Sequence, residues 1–553
     1  MREIDRLTTE RYDVPSLTLM ENAAIATVRC VAELLGNSVN EKSIIVFCGK
    51  GNNGGDGAAA ARLLAIAGAR VSVILIGQVD DTKGDARENF ERLRARHTQQ
   101  LTNASQDGSV NLFECESEKG WQQLLESVLA APHDAILDAL FGTGLTRPAE
   151  GIHREVIEYI NRQRRRDPPA SITPIISIDV PSGINADSGQ LIGPVVIADA
   201  TVTMTTPKRG NVLPPACDCN GRLIVADIGS PVELIAESES QLLLTAADDA
   251  RRWLVKTRYA PGSYKNTHGH ALIIAGSRSF TGAAALSGSA AMTAGAGLVT
   301  VATPVSAQPI VAAQVMPEVM TTALAETDRG AVSEDALDYV LRFAAKANVI
   351  AVGPGLSSED DRTRKFVREL IEQRTTPVVI DADGLNCLAP WPVSLRGALD
   401  KPLVLTPHPG EMMRLLGTNA KSALEDRVEL ARNFAMKQEL ILVLKGSRTL
   451  IAAPDGRVAI NPTGNPGLGT AGSGDTLTGV ITGFLAQAYG ALKADADAFQ
   501  AVVAAVYLSG FAGDLAARRL GMRALTASAI REHLSEAFCL LDPDGEIPSI
   551  AAP

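Results

Sequence analysis

Aromatic residues make up only 4% of this 553-residue chain, so its cores cannot be built on large rings. Ala, Val, Leu and Ile must fill them, which suits tightly packed parallel sheets. Positive charge is also in deficit: 52 Lys and Arg face 63 Asp and Glu, for a formal net charge of −11. That balance argues against general binding to nucleic acid or to an acidic membrane surface. Any anionic ligand must be held by local N–H groups and a few placed cations. No apolar run approaches the roughly 18 residues of a membrane span, and the N-terminus carries no apolar signal core. The seven cysteines are scattered, and Cys217 and Cys219, lacking a second pair, are weak evidence for a metal. Reduced thiols in a cytoplasmic protein are the simpler expectation. Internal repeats and low-complexity tracts are missing too, so no disordered arm is expected.

Glycine is plentiful, at 48 residues, and it is clustered. The densest stretch is Asn461 to Gly479, NPTGNPGLGTAGSGDTLTG, with apolar residues at helical spacing after it. The glycines therefore sit where a loop enters a helix, a place that aims N–H groups and partial positive charge at an anion. Asp475 is poised there to take a proton from a hydroxyl. The simpler alternative is a glycine-rich surface loop with a capping aspartate.

The length calls for at least two domains, and both halves alternate short apolar strands with helices. In the first half, Ser16 to Leu35 reads as an amphipathic helix. Ile44 to Cys48 reads as a strand, Gly57 to Ala67 as a helix of small residues and Val71 to Ile76 as a strand. The loop between the first strand and its helix is GKGNNGGDG, Gly49 to Gly57, which is not G-x-G-x-x-G. Its asparagines and Asp56 can orient hydroxyls, a ring amide or a cation, or merely supply turn conformations. Three more strand ends, AILD, PIISIDV and ATVTM, place Asp138, Asp179, Ser182 and Lys208 near the mouth of one sheet edge.

GNNGGDG, DALFGTGL, SIDVPSG and T-x-x-PKRG are similar, in that order, to the epimerase domain of the NAD(P)H-hydrate repair enzymes. The resemblance covers about Met1 to Val232 and implies a Rossmann-like α/β/α sandwich that interconverts the R and S epimers of hydrated NADH or NADPH. It implies that Asn52, Asn53, Gly54, Gly55 and Asp56, with Gly142, Thr143, Gly144, Leu145, Thr146, Arg147 and Pro148, bind substrate. Asp179 would lie at the nicotinamide ring, and Asn53, Asp138 and Ser182 would hold K⁺, a hard cation suited to oxygen ligands. Either Asp179 or Asp56 could be the acid–base group.

Ser230 to Thr245 carries a polar ESES patch and reads as a short linker; we place the domains at 1–232 and 243–553 with a linker at 233–242. The second half offers strands at Ala271 to Ala275, Leu298 to Ala302, Val349 to Val352, Val378 to Ile380, Leu403 to Leu405 and Leu440 to Leu444. Their ends supply Gly353, Gly355, Asp381, Asp383, His408, Glu411 and Lys445. His408 reads either as a ligand contact or as a residue packing a turn. Lys445 with Gly446, Ser447, Arg448 and Thr449 suits phosphate, one mobile cation among N–H groups and hydroxyls; an exposed turn between two strands is the alternative.

GPGL, DADGLN, TPHPGEM, KGSRT and GTAGSGDTLTG together resemble the ribokinase-like superfamily, and within it the NAD(P)H-hydrate dehydratase domain. The resemblance implies that ADP, accompanied by Mg²⁺, is held by Lys445 to Thr449 and Gly474. It also implies that hydrated dinucleotide contacts Ala284, Gly355, His408 and Asp475. Asn266 stands where the family usually has a glycine after the lysine of SYKNTHGH. The two resemblances imply a bifunctional enzyme that epimerises the hydrate and dehydrates its S form at the expense of ADP, giving AMP and phosphate. Its partners would be small molecules, with neither nucleic acid nor membrane, and such domains commonly form homo-oligomers. A ribokinase-like kinase fused to a regulator, and a nucleotide-sensing protein without turnover, are the competing readings.

Overall fold

The computed structural model describes residues 1–102, 108–164 and 173–543. The chain divides into two compact units, Met1–Glu239 and Ser240–Pro553.

The first unit is a seven-stranded parallel sheet made of β1 (Ser43–Cys48), β2 (Arg70–Ile76), β3 (Val110–Cys115), β4 (Ala135–Ala139), β5 (Ile175–Ile178), β6 (Ala200–Met204) and β7 (Arg222–Ala226). Their spatial order is β3-β2-β1-β4-β5-β6-β7. Alternation along β1 shows why helices cover both faces. Ile44, Val46 and Cys48 join one buried cluster, and Ile45 and Phe47 join another on the opposite face. The second cluster carries much of the unit's aromatic content: Phe47, Trp121 and Tyr159 meet edge to face at centroid distances of 5.9–6.3 Å. Such pairs add roughly 0.5–1.5 kcal/mol each beyond the area they bury. The sheet order reverses between β1 and β4, so the crevice outside their carboxyl ends is the expected ligand position.

The second unit has a ten-stranded sheet: β8 (Leu242–Leu244), β9 (His270–Ile274), β10 (Leu298–Pro304), β11 (Met320–Leu324), β12 (Val349–Val352), β13 (Val378–Ile380), β14 (Leu403–Leu405), β15 (Ile441–Leu444), β16 (Leu450–Ala452) and β17 (Val458–Ile460). Its order is β11-β10-β9-β12-β13-β14-β15-β16-β17-β8. Pairing is parallel except where β16 runs against β15 and β17. Here the order reverses between β9 and β12.

Close helix packing compensates for the shortage of rings. A Cβ on Gly479 would lie 2.3 Å from the Ser287 carbonyl oxygen, and one on Gly483 would lie 2.7 Å from that of Ala291. The helices Thr281–Thr293 and Ser473–Gln487 therefore approach almost backbone to backbone. Helix Ala498–Leu520 has the length and apolarity to cross a membrane, yet 67% of its apolar window is buried inside the protein. It packs on the helices Ser473–Gln487, Ala247–Lys256 and Leu534–Leu541 as a core element.

Candidate active sites

In the first unit the helix after β1 begins at Asn52, not at Gly57, and runs to Ile66. The reason lies in the glycines. A Cβ on Gly54 would strike the Gly49 carbonyl at 1.8 Å, one on Gly55 would meet Ala86 Cα at 2.7 Å, and one on Gly57 would meet Ala139 Cβ at 2.6 Å. These residues are glycine so that the first turn can press onto the sheet and, through Gly55, onto the helix Gly84–Thr102. Asn53 and Asp56 are thereby fixed on a helix N-terminus.

Asp138, next to last in β4, is fully buried. Its carboxylate accepts from the Ser182 hydroxyl (2.6 Å) and N–H (2.9 Å), the Ser177 hydroxyl (2.8 Å) and the Leu140 N–H (3.3 Å). Burial nevertheless pushes its carboxyl above the ordinary range. The Ser182 hydroxyl also accepts the Phe141 N–H at 3.0 Å, which ties Gly142 to the same network. A Cβ placed on Gly142 would sit 3.1 Å from Asp179 Oδ2 and 3.4 Å from Asn53 Cβ. Asn53, Gly142 and Asp179 therefore surround one small space. Both amide atoms of Asn53 are buried without a hydrogen-bond partner.

Asp179 ends β5 at φ 68°, a left-handed conformation that a non-glycine residue holds only against strain. An ion pair with Lys208 Nζ at 2.6 Å anchors it. Lys208 in turn donates to the Thr203 hydroxyl at 2.8 Å and the Met204 carbonyl at 3.1 Å. Asp56 is in a different state. Burial, then the negative charge of Asp179, raises its carboxyl well above the usual range, and Lys208 opposes them. A carboxylic acid thus stands beside an ion-paired carboxylate, the division of roles that acid–base chemistry requires. Asn52, Arg147 and Pro148 are exposed, Thr143 and Leu145 half-buried, and Pro148 lies against Gly193. Sequence reasoning missed Asp5, on the helix Arg2–Tyr12. Burial raises its carboxyl, which the charges of Lys208 and Asp179 also feel. No motif marks it.

In the second unit the loops after β9 and β12 meet at the sheet's reversal point. Gly276 N–H donates to the Pro354 carbonyl at 2.8 Å, and the Ser277 hydroxyl to the Gly355 carbonyl at 2.9 Å. Gly355 has φ 62°, and a Cβ there would meet the Phe280 carbonyl oxygen at 2.7 Å. Ala284 is fully buried, with its methyl facing Gly276; it forms the floor of these loops.

Lys445 is not a mobile cation. Its Nζ lies 2.7 Å from Asp381 Oδ1 and 3.8 Å from Glu411 Oε2, and Asp381 also accepts the Thr478 hydroxyl at 2.7 Å. Burial disfavours the Lys445 ammonium, but the charges of Asp381, Glu411 and Asp475 outweigh it and raise its pKa. Gly474 lies over this pair: a Cβ would be 3.4 Å from Lys445 Nζ. The next residue, Asp475, is in the first turn of the helix Ser473–Gln487. Burial and the Asp381 carboxylate lift its carboxyl to about 6, against the pull of Lys445.

KGSRT is the turn of the β15–β16 hairpin, so the alternative geometry holds while Lys445 faces inward. Arg427 backs that turn, donating from Nη1 to the Ser447 carbonyl at 2.9 Å; the sequence reading missed it. Arg448 donates to the Pro462 carbonyl at 2.8 Å and Thr449 to that of Gly446 at 3.1 Å. His408 caps the helix Pro409–Leu416: Nδ1 accepts the Gly410 N–H at 3.0 Å, and Glu411 returns a bond to the His408 N–H at 2.8 Å. Capping through Nδ1 leaves the proton of the neutral ring on Nε2, at an exposed position.

Replacing Lys445 by Met is expected to leave Asp381, 1% exposed, as an uncompensated anion. We expect about 3–5 kcal/mol of lost stability, read as a lower urea midpoint for this unit, with partial recovery on adding Asp381→Asn. An unchanged midpoint would show that the pair does not hold the site together.

Comparison with known proteins gives a consistent picture. Residues 271–536 match the family described as NAD(P)H-hydrate dehydratase, and residues 16–210 match the YjeF-related protein N-terminus. A bifunctional NAD(P)H-hydrate repair enzyme from Moorella thermoacetica is 43% identical over 100% of this chain and 97% of its own length. One from Thermofilum pendens is 37% identical over 98% and 96%. A crystal structure of ADP/ATP-dependent NAD(P)H-hydrate dehydratase from Bacillus subtilis, co-crystallized with ATP/Mg²⁺, is 30% identical, with a TM-score of 0.46; the match covers 54% of this chain and 99% of that one.

Proposed function

The chain belongs to the bifunctional NAD(P)H-hydrate repair enzymes, and from that premise we propose how its residues carry the two reactions. The protein epimerises hydrated NAD(P)H through its N-terminal domain and dehydrates the S form through its C-terminal, ribokinase-like domain with a nucleotide. The observation that carries the dehydratase assignment is Asp475, a partly buried carboxylate on a helix N-terminus beside Gly474, which lies over the Lys445–Asp381 pair.

In our reading ADP lies against Lys445 to Thr449 and Gly474, and the hydrate against Gly355, His408 and Asp475. Hydroxide is a poor leaving group, whereas phosphate is a good one. Asp475 takes the proton of the hydrate's hydroxyl, whose oxygen attacks the terminal phosphoryl group in line and releases AMP. N–H groups at the start of the helix, with Lys445, offset charge on the transferred group. The ring nitrogen's electron pair then expels phosphate, and loss of the neighbouring proton restores the double bond. No cluster of three or more His, Cys, Asp or Glu suited to a metal occurs among the described residues. Mg²⁺ would therefore arrive on the nucleotide phosphates, where it offsets their charge.

For the epimerase, Asp56 serves as acid and Asp179 as base while the carbon–oxygen bond breaks and reforms. Asn53, Asp138 and Ser182 suit K⁺ in chemistry: each can present an oxygen, among them a buried carboxylate and the Asn53 amide oxygen, which has no partner. Bound there, K⁺ would supply a charge to balance Asp138. A cytoplasmic location accords with seven cysteines in thiol form, and we expect a homo-oligomer.

The deciding experiment mixes the purified protein with both epimers of hydrated NADH, Mg²⁺ and ADP, and follows the return of reduced-nicotinamide absorbance. Full recovery, faster than spontaneous epimerisation, supports both activities. Recovery that stops after the S form counts against the epimerase, and a stable phosphorylated product would favour a kinase. A second expectation concerns pH. Because Asp475 works only when ionised, kcat/KM for dehydration should fall as pH drops through about 6 and level off above it. A profile that stays flat below that value would remove Asp475 as the base.

A further inference from the structure

We propose that a cleft beside the dehydratase site binds the phosphate groups of the hydrated dinucleotide through Arg364 and Arg414; this rests on the dehydratase reading above. The cleft is shallow and open to solvent, with a volume of about 600 Å³ between the loop after β12 and the end of the helix Pro409–Leu416, and its lining includes Ser358, Arg364, Asn386, Arg414, Thr418 and Asn419. That volume is of the size that accepts part of a nucleotide.

Three observations converge on an anion. First, each guanidinium is fixed by the protein through Nε alone among the described residues. Arg364 donates to the Ser358 carbonyl at 2.8 Å and Arg414 to Asn386 Oδ1 at 2.9 Å. Their remaining N–H groups are left to meet a ligand in the fork geometry that suits phosphate. Second, neither arginine is ion-paired with a carboxylate among the described residues, although acidic residues outnumber basic ones, 63 to 52. Asp383, which Asn386 links to Arg414, is already engaged. It accepts the Ser357 N–H at 2.9 Å, the Ser358 hydroxyl at 3.2 Å and the Asn386 amide at 3.2 Å. Third, the cleft is continuous with the substrate loops. Asn386 bridges Arg414 to Asp383, Asp383 clamps the residues that follow Gly355, and Arg414 shares its helix with the His408 cap. Asp383 and Asn386 belong to DADGLN, of which the chemistry above uses only Asp381.

A dinucleotide whose reacting ring lies at Asp475 must place its diphosphate and second nucleoside away from that ring. The cleft is where the fold offers them unpaired cations. Its phosphate could be the bridging diphosphate, common to both hydrates, or the 2′-phosphate of the NADPH form.

The test compares wild type with Arg364→Gln and Arg414→Gln, using the S hydrates of NADH and NADPH and ADP. We expect KM for the hydrate to rise on the order of 10-fold per arginine, while KM for ADP holds. An equal rise for both hydrates assigns the cleft to the diphosphate; a rise for the NADPH form alone assigns it to the 2′-phosphate. An unchanged hydrate KM, or a rise in KM for ADP instead, overturns the proposal. Asn419→Asp, an isosteric change at the exposed rim, guards against misfolding and should also raise the hydrate KM by placing negative charge there. Wild type that fails to turn over would instead reject the dehydratase reading itself.

Discussion

Asparagine in place of Asp475 is expected to cut dehydration of the S hydrate by about 10²–10⁴-fold, with nucleotide binding largely kept. The argument is geometric first. Asp475 stands one residue beyond Gly474, whose missing side chain leaves the Lys445–Asp381 pair open, so a hydroxyl and a phosphoryl group can meet there. The electrostatics agree. A carboxyl raised to about 6 is a stronger base than an ordinary aspartate and is still ionised at neutral pH. Asparagine keeps the shape and loses the basicity. Removing a negative charge near the nucleotide phosphates should, if anything, favour ADP, so calorimetric titration with ADP separates lost chemistry from lost binding. A variant that kept turnover within a few-fold of wild type would move the base elsewhere, and Asp381 would be the next candidate.

The fold was largely legible because its strands are short runs of Val, Ile and Leu buried on both faces, and such runs stand out. β6, β12, β13 and β14 carry the ends read from sequence. Helix starts were less visible. The sequence pattern of Asn52–Asp56 reads as loop because glycine usually breaks helices. Here the gain is a close approach to Gly49, Ala86 and Ala139, partners distant in sequence or hidden by folding. Asp179 was legible as a strand end, whereas its φ of 68° and its pairing with Lys208 were not. Lys445 could be placed by motif; that two carboxylates immobilise it depends on β14 lying next to β15 in the sheet and β13 next to β14. Asp5 and Arg427 could not be found. Each lies on an ordinary polar-faced helix, and only packing brings it against a site. Motifs mark backbone that approaches ligands, but supporting charges carry no local pattern.

The first domain's strongest test is Asp179→Asn, which should abolish use of the R hydrate beyond its spontaneous epimerisation while the S hydrate is still consumed. The expected loss in epimerisation is about 10²–10⁴-fold. Alanine at the same position should do this too. Both changes remove the counter-charge of Lys208, whose side chain is 9% exposed, but alanine also removes the oxygen that accepts its hydrogen bond. Several kcal/mol of stability would go with it, so the amide is the cleaner probe and a thermal melt should accompany both. Asp56→Asn distinguishes the roles. Asp56 is raised well above the ordinary range by burial and by Asp179, and in the proposed mechanism it supplies a proton that an amide cannot transfer. Both single variants should therefore be defective, and the double variant hardly worse than either, because the two groups act on one event. If Asp179→Asn still consumed both epimers at the wild-type rate, the carboxylate held by Lys208 would be part of the scaffold. Asp56 with Asp5, a half-buried acid of the same site, would then have to carry the proton.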